Sequence, residues 1–310
     1  MKWFLAMSDR LEGARVEKIS ICICTRNRVE DLRRALNSIL ESSYKNYELI
    51  VSDDSTNNDT RVMIQKEYPS ISYLKGPQKG LCFNRNNALK AVKGSSVLFM
   101  DDDVIMSKDF LQVVMNILLD LEPEIREKTI ITGLERNNGS LVYPNKINFL
   151  GHQKKPYREE DSLKTIVINS TVFPSILLRN LKFDERLVYG YDEVDIAARA
   201  VSSGCNILLC KEAVNDHYPS DVNRDYYSLY IESSRIYVTY KRYNEIEKRM
   251  LKSFIYLLVS FGHMLIHQLL RNGIRGIGST LKTFKKAFLY IKLSKANVPP
   301  AYTSESTKRI

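Results

Sequence analysis

Three consecutive acids, Asp101-Asp102-Asp103, follow directly on the apolar run Ser96-Val97-Leu98-Phe99-Met100. An unbroken apolar run of this length reads as a strand covered on both faces. Carboxylates crowded at its end repel one another and lose hydration, so they require a counter-charge. Alternation along a strand directs Asp101 and Asp103 one way and Asp102 the other. Two hard oxygen donors so spaced suit Mg2+ or Mn2+, ions that also hold phosphate oxygens. The competing reading is a loop whose acids cap the helix after Ser107. A second acidic group, Asp192-Glu193-Val194-Asp195, opens a stretch of helical periodicity that Gly204 stops. Acids in a first turn are favoured by the helix dipole, and position alone leaves such a cap and a general base equally open.

The elements that must carry these groups alternate. Ile19–Cys24 reads as a strand ending at Thr25-Arg26-Asn27-Arg28, and Asn27 with Glu30 three residues later resembles a capping box for the helix that follows. Glu48–Val51 is a second strand, ending at Ser52-Asp53-Asp54-Ser55-Thr56. A helix over 59–68, a strand over 71–74 and a helix over 84–92 lead to the acidic strand end. Further strands are expected at 129–132, 165–169 and 206–210, with a helix over 192–203. This order predicts a doubly wound α/β sheet, and such sheets bind ligands beyond the carboxyl ends of their strands. Neither a Gly-x-Gly-x-x-Gly nor a Walker loop is present, so phosphate binding must rest on a metal and on Arg or Lys side chains.

Charge is unevenly spread. Residues 1–230 carry 31 Lys and Arg against 32 Asp and Glu, whereas 231–310 carry 15 against 4. The basic character therefore belongs to the C-terminal part. That argues against a general nucleic-acid binder and for contact with an anionic surface. Tyr226–Tyr243 is expected to be helical, and Ser253–Leu270 is an apolar stretch with His263, His267 and Gln268 within it, followed by many Lys and Arg. Polar groups within the run favour amphipathic helices lying on a cytoplasmic leaflet. Five cysteines without Cys-x-x-Cys spacing read as buried reduced thiols of a cytosolic protein. The expected organisation is an N-terminal arm over 1–18 with an apolar patch at Trp3–Met7, a catalytic domain over 19–225, a helical membrane-associating extension over 226–295, and a disordered tail over 296–310.

Five segments, in order across 19–217, resemble family 2 glycosyltransferases. Thr25-Arg26-Asn27-Arg28 is similar to their Thr-x-Asn-Arg opening, and Ser52-Asp53-Asp54-Ser55-Thr56 to their nucleotide contact. Gly80-Leu81 with Asn84-Arg85-Asn86 resembles the Gly-Leu…Ala-Arg-Asn segment, and Asp101-Asp102-Asp103 the Asp-x-Asp element. Phe183-Asp184-Glu185 with Tyr191-Asp192-Glu193-Val194-Asp195 and Arg199 is similar to the block that carries the base. Two departures stand out: Arg26 where an aromatic residue is common, and Asp192-Glu193 where Glu-Asp is usual.

The resemblance implies a GT-A fold, a mixed α/β sheet with the basic helices as a C-terminal extension, and inverting transfer from a nucleotide-activated sugar (UDP-, GDP- or dTDP-linked) to a saccharide or lipid-linked acceptor. It implies donor-binding roles for Thr25, Asn27, Arg28, Asp53, Asp54, Arg85, Asp101 and Asp102. Asp103, Asp101 and His217 would hold Mg2+ or Mn2+, and Glu193, with Asp192 as alternate, would be the general base. A nucleotidyltransferase on a similar sheet and a non-catalytic nucleotide-sugar-binding membrane protein are the alternatives.

Overall fold

The structure, a computed structural model, describes residues 17–219 and 224–296, without the side chains of 224–226. The expected N-terminal arm up to residue 16 and the tail from residue 297 lie outside the described residues. The main sheet is built from β1 (Ile19–Thr25), β2 (Tyr47–Asp53), β3 (Ser72–Lys75), β4 (Ser96–Asp101), β5 (Val104–Ile105), β6 (Thr129–Asn137) and β7 (Ser140–Val142). β8 (Asn145–Ile147) and β9 (Gln153–Pro156) form a separate hairpin, and β10 (Thr171–Pro174) and β11 (Asn206–His217) return to the main sheet. Its order is β3-β2-β1-β4-β10-β6-β11-β5, with β7 on β6. β3, β2, β1 and β4 are parallel, as are β6 and β11, whereas β10 runs antiparallel to both its neighbours. The result is a mixed sheet, as the resemblance implies.

Alternation along the strands divides the interior into two clusters. Ile21, Ile23, Val51, Leu98 and Met100 face the helices Val29–Leu40, Asp59–Glu67 and Phe110–Asp120. Cys22, Ile50, Val97, Phe99 and Phe173 face the opposite side, against the Leu81–Ala88 and Asp192–Ser202 helices. Phe99 meets Phe183 edge-on at 4.9 Å, a geometry favoured by the ring quadrupoles. Covered on both faces, β1 and β4 need unbroken apolar runs, which their sequences supply. All five cysteines are buried, with free thiols.

The register sets the site. Thr25 pairs with Asp53 across β1 and β2, and Cys24 with Asp101 across β1 and β4. The polar residues that end three parallel strands thus lie side by side at the carboxyl edge, where such sheets bind ligands. β11 is long enough to pass the sheet and pair His217 with Val104 of β5, which brings His217 beside Asp103.

Some local expectations shift. The strand expected at 165–169 is displaced to Thr171–Pro174, after a 3-10 turn at Ile168–Ser170. Thr171 Oγ1 donates to the Val167 carbonyl at 2.6 Å and Ser170 Oγ to the Leu134 carbonyl at 2.7 Å, bonds that draw the backbone into a turn. The helix expected over 84–92 starts earlier, at Leu81, and ends in a 3-10 turn.

The C-terminal helices Arg224–Lys241, Met250–Asn272 and Arg275–Lys295 pack on one another and on the cluster that holds Phe99 and Phe173. Tyr237, Tyr243, Tyr256, Phe284 and Tyr290 are buried there. The Met250–Asn272 helix is long and apolar enough to cross a membrane, judged by length and composition. Its outer face is open, with Leu251 73% and Leu270 84% exposed, and Ile274 just beyond it is 84% exposed.

Candidate active site

β4 ends at Asp101 and the chain turns through Asp102 and Asp103 before β5. The turn ends the strand alternation, so the expected pairing of Asp101 with Asp103 is replaced by another. Asp102 and Asp103 share Arg28, whose Nη1 donates to Asp102 Oδ1 at 2.8 Å and Nη2 to Asp103 Oδ2 at 3.0 Å. Thr25 Oγ1 donates to Asp102 Oδ2 at 2.7 Å. Asp101 instead accepts from Arg85 Nη2 at 3.0 Å. Burial pushes Asp102 up to about 7, against the pull of Arg28.

Asp103 Oδ1 is buried, makes no hydrogen bond, and lies 3.3 Å from His217 Nε2. The other ring nitrogen, Nδ1, is 2.8 Å from Glu135 Oε2. Burial alone would lower His217, but the carboxylates on either side of its ring, Asp103 and Glu135, raise it to about 10. Burial likewise opposes ionisation of Asp103, and His217 with Arg28 holds it below the ordinary carboxylate range. A carboxylate oxygen without a hydrogen bond beside an imidazole nitrogen, itself oriented by a second carboxylate, is a donor pair that fits a divalent ion once the ion displaces the Nε2 proton. Of the three ligands expected from sequence, Asp103 and His217 are brought together and Asp101 is committed to Arg85. Among the described residues no group of three His, Cys, Asp or Glu is arranged to hold a metal.

On the β1–β2 side, Asp53 is spent on structure: Oδ1 accepts from the Ser55 amide at 2.9 Å and Oδ2 from the Tyr73 hydroxyl at 2.9 Å. Asp54 accepts from the Gln78 amide at 2.8 Å through Oδ1, and burial pushes it up to about 6. Gly76 leaves it room, since a Cβ there would fall on Asp54 Oδ1. Asn27 does not cap the following helix; Arg28 stands at that cap without a side-chain bond. Asn27 instead takes a left-handed backbone, φ 53°, and its Oδ1 accepts from the Thr56 amide at 2.9 Å. The side chain pins the 55–56 loop to the end of β1.

The helix Asp192–Ser202 starts at Tyr191, whose φ of 63° turns the chain sharply before the acids. Asp192 is buried and receives Arg85 Nη1 in a close ion pair. Arg85 is itself buried, bridges Asp101 and Asp192, and stands 5.4 Å over the Phe183 ring. It is thus not a surface cation of its helix. Glu193 is half-buried and accepts from Gln153 Nε2 at 3.3 Å. Burial, then the charge of Asp192, pushes it up to about 7. The two neighbouring acids differ in environment: one is neutralised by arginine, the other is poised to exchange a proton near neutrality.

Several contributors lay outside the sequence expectations. Asn169 Oδ1 accepts from the Asp101 amide at 3.0 Å and fixes the strand end. Lys241 lies 2.7 Å from both Asp184 and Asp195. The motif acids Asp184 and Asp195 carried a signal; Gln153, Asn169 and Lys241 carried none, because long-range placement supplies their partners.

Arg85→Met removes the one cation between two carboxylates while keeping the bulk. The expected outcome is a loss of about 3–5 kcal/mol in urea denaturation, the cost of an uncompensated buried charge. Asp192→Asn in the same background is expected to recover part of it.

Residues 20–173 match the family described as Glycosyl transferase family 2. The chain is 30% identical over 142 residues to a GalNAc(5)-diNAcBac-PP-undecaprenol beta-1,3-glucosyltransferase of Campylobacter jejuni, covering 39% of this chain and 45% of that one. The alignment thus spans under half of that relative's length. Among solved structures, S. aureus TarS 1-349 in complex with UDP-GlcNAc is similar with a TM-score of 0.60 at 15% identity, covering 88% of this chain and 81% of that one. GalNAc-T7 with UDP, GalNAc and Mn2+ is similar with a TM-score of 0.62 at 14% identity, covering 77% and 50%. At these identities the likeness is one of fold.

Proposed function

Because this chain carries a family 2 glycosyltransferase domain over residues 20–173, we propose that it moves a sugar from a nucleotide-diphosphate donor to a hydroxyl of a saccharide or lipid-linked acceptor, with inversion by single displacement. The observation that carries this reading is the division of labour between Asp192, paired with Arg85, and Glu193, raised to about 7. Asp54, in its buried recess by Gly76, accepts from the base or ribose of the donor. Arg28 faces the diphosphate from the strand end, with Thr25 and Asp102 holding it in place. When bound at Asp103 and His217, Mg2+ or Mn2+ supplies positive charge for the departing diphosphate. Glu193 takes the proton from the acceptor hydroxyl as that oxygen attacks the anomeric carbon. A half-buried carboxylate with an amide donor on one oxygen suits the task, since its charged form is available near neutral pH and its rotamer is fixed.

The undecaprenol-linked name of the Campylobacter relative and the exposed apolar face of Met250–Asn272 together support work at a membrane, peripheral on its cytosolic face. Lys and Arg along the last two helices, among them Arg271, Arg275, Lys282 and Lys285, would each add on the order of 1 kcal/mol against anionic lipid.

Glu193→Gln is expected to retain donor binding while turnover falls by several orders of magnitude; normal turnover would move the base to another residue. In the native enzyme kcat/KM is expected to fall as pH drops through about 7, because the protonated carboxyl cannot accept the hydroxyl proton. A panel of nucleotide sugars with Mn2+ is expected to raise Tm for the true donor, by about 2.7 kcal/mol of stability at 100 times Kd. EDTA or His217→Ala should abolish the rise, and a rise indifferent to both removes the metal from the reading. High salt is expected to release membrane-bound protein; retention until detergent is added would instead mean insertion of the Met250–Asn272 helix.

A further inference from the structure

Gln153, the hydrogen-bond partner of Glu193, stands at the start of β9 in a hairpin of very short strands. A two-stranded hairpin of this size does not hold its shape alone. Thr165 Oγ1 donates to the Asn145 carbonyl at 3.0 Å on the β8 side, and the C-terminal extension holds the connecting turn. Arg235 Nη1 donates to the Leu150 carbonyl, and the Tyr243 hydroxyl donates to the Phe149 carbonyl at 3.0 Å. The Phe149 ring stacks on Tyr243 at 5.8 Å and meets Tyr256 edge-on at 5.9 Å. Gly151, at φ 88°, sits so close to the helix that a Cβ would fall on Thr239 Oγ1.

The same helix grips the element that bears Glu193. Lys241 Nζ lies 2.7 Å from Asp195, two residues after Glu193, and 2.7 Å from Asp184. Arg199 at 2.6 Å from Asp195, Arg186 at 2.6 Å from Asp184, and the Tyr237 hydroxyl at 2.8 Å from Asp184 complete the cluster. One rigid helix therefore sets the distance between Gln153 and Glu193 from both sides.

We infer that Gln153 is a positioning residue for Glu193, and that the Arg224–Lys241 helix with Tyr243 is the part of the active site that keeps it there. This rests on Glu193 being the base. The amide donor favours the charged form of the carboxylate and selects one rotamer of it. Other groups facing Glu193 are Asp192 on its own helix, Arg85 on the Leu81–Ala88 helix, and Tyr191, with Glu232 beyond it on the C-terminal helix. None of them changes when Gln153 is substituted.

The test is the acid limb of kcat/KM in Gln153→Leu and Gln153→Lys. Loss of the donor is expected to lower kcat about ten- to a hundredfold, with donor KM unchanged, and to move the limb to higher pH. A lysine is expected to move it to lower pH, since a cation beside Glu193 favours the carboxylate. Tyr243→Phe is expected to act in the direction of Gln153→Leu, and the double variant to be no worse than Gln153→Leu alone. Thermal melts within a few degrees of the native protein separate these effects from misfolding, because Gln153 sits on a small partly exposed hairpin. A limb that stays in place in both Gln153 variants, or fully additive losses with Tyr243→Phe, overturns the inference. If Glu193→Gln is inactive while the limb does not move, only this inference fails; if Glu193→Gln is active, the base assignment fails first.

Discussion

The site depends on one buried guanidinium. Arg85 joins the end of β4 to the first turn of the Asp192–Ser202 helix, through Asp101 on one side and Asp192 on the other. Without it, the buried Asp192 carboxylate would lack a counter-charge and would face the partly exposed Asp101, and a low-dielectric interior penalises an unpaired ion by several kcal/mol. A lysine could neutralise one of them, but the planar fork of arginine reaches both at once. The strand end and the helix start are thereby held at a fixed separation.

From that bridge the remaining charges distribute themselves. Arg28 takes Asp102 and Asp103, His217 lies against Asp103 and Glu135, and Lys241 takes Asp184 and Asp195. Each buried acid in these groups meets a cation, and Glu193 meets an amide instead. Burial raises both neighbours, and at Asp192 the Arg85 guanidinium pulls against it, whereas at Glu193 the charge of Asp192 adds to it. The competing explanation for acids in a first helical turn, attraction to the helix dipole, applies to all three. Dipole attraction alone does not account for three different partners.

What the sequence made legible follows from which interactions are local. The apolar runs of β1 and β4 and the polar residues ending them were readable because alternation and burial on both faces are properties of consecutive residues. The motif order named Asp103 and His217, which the fold brings within 3.3 Å of each other, and Glu193, which follows Asp192 in the first turn of its helix. It misjudged Asp101, because a chain reversal one residue after the strand changes which side an acid faces, and no propensity marks that reversal in a run of identical residues. It misjudged Asn27 for a related reason: the cap and the loop pin use the same side chain, and the loop at Ser55-Thr56 that decides between them is distant in sequence. Gln153 and Lys241 were invisible, since their roles exist only through partners 40 or more residues away.

The C-terminal extension has two faces with different duties. Its inner face is aromatic and polar, with Tyr237, Tyr243 and Arg235 committed to the hairpin and to the motif acids. Its outer face carries Leu251, Leu258, Leu270 and Ile274 in the open, where a soluble chain normally keeps apolar patches small. Burial of the inner face ties the extension to the sheet, so the orientation of the outer face relative to Glu193 is fixed by packing rather than by a linker. In the proposed membrane reading, an acceptor carried on a lipid and the carboxylate that activates it are both referenced to the same helices. A flexible tether could keep the enzyme at the bilayer, but it would leave the approach of the hydroxyl to chance, and effective molarity comes from that approach.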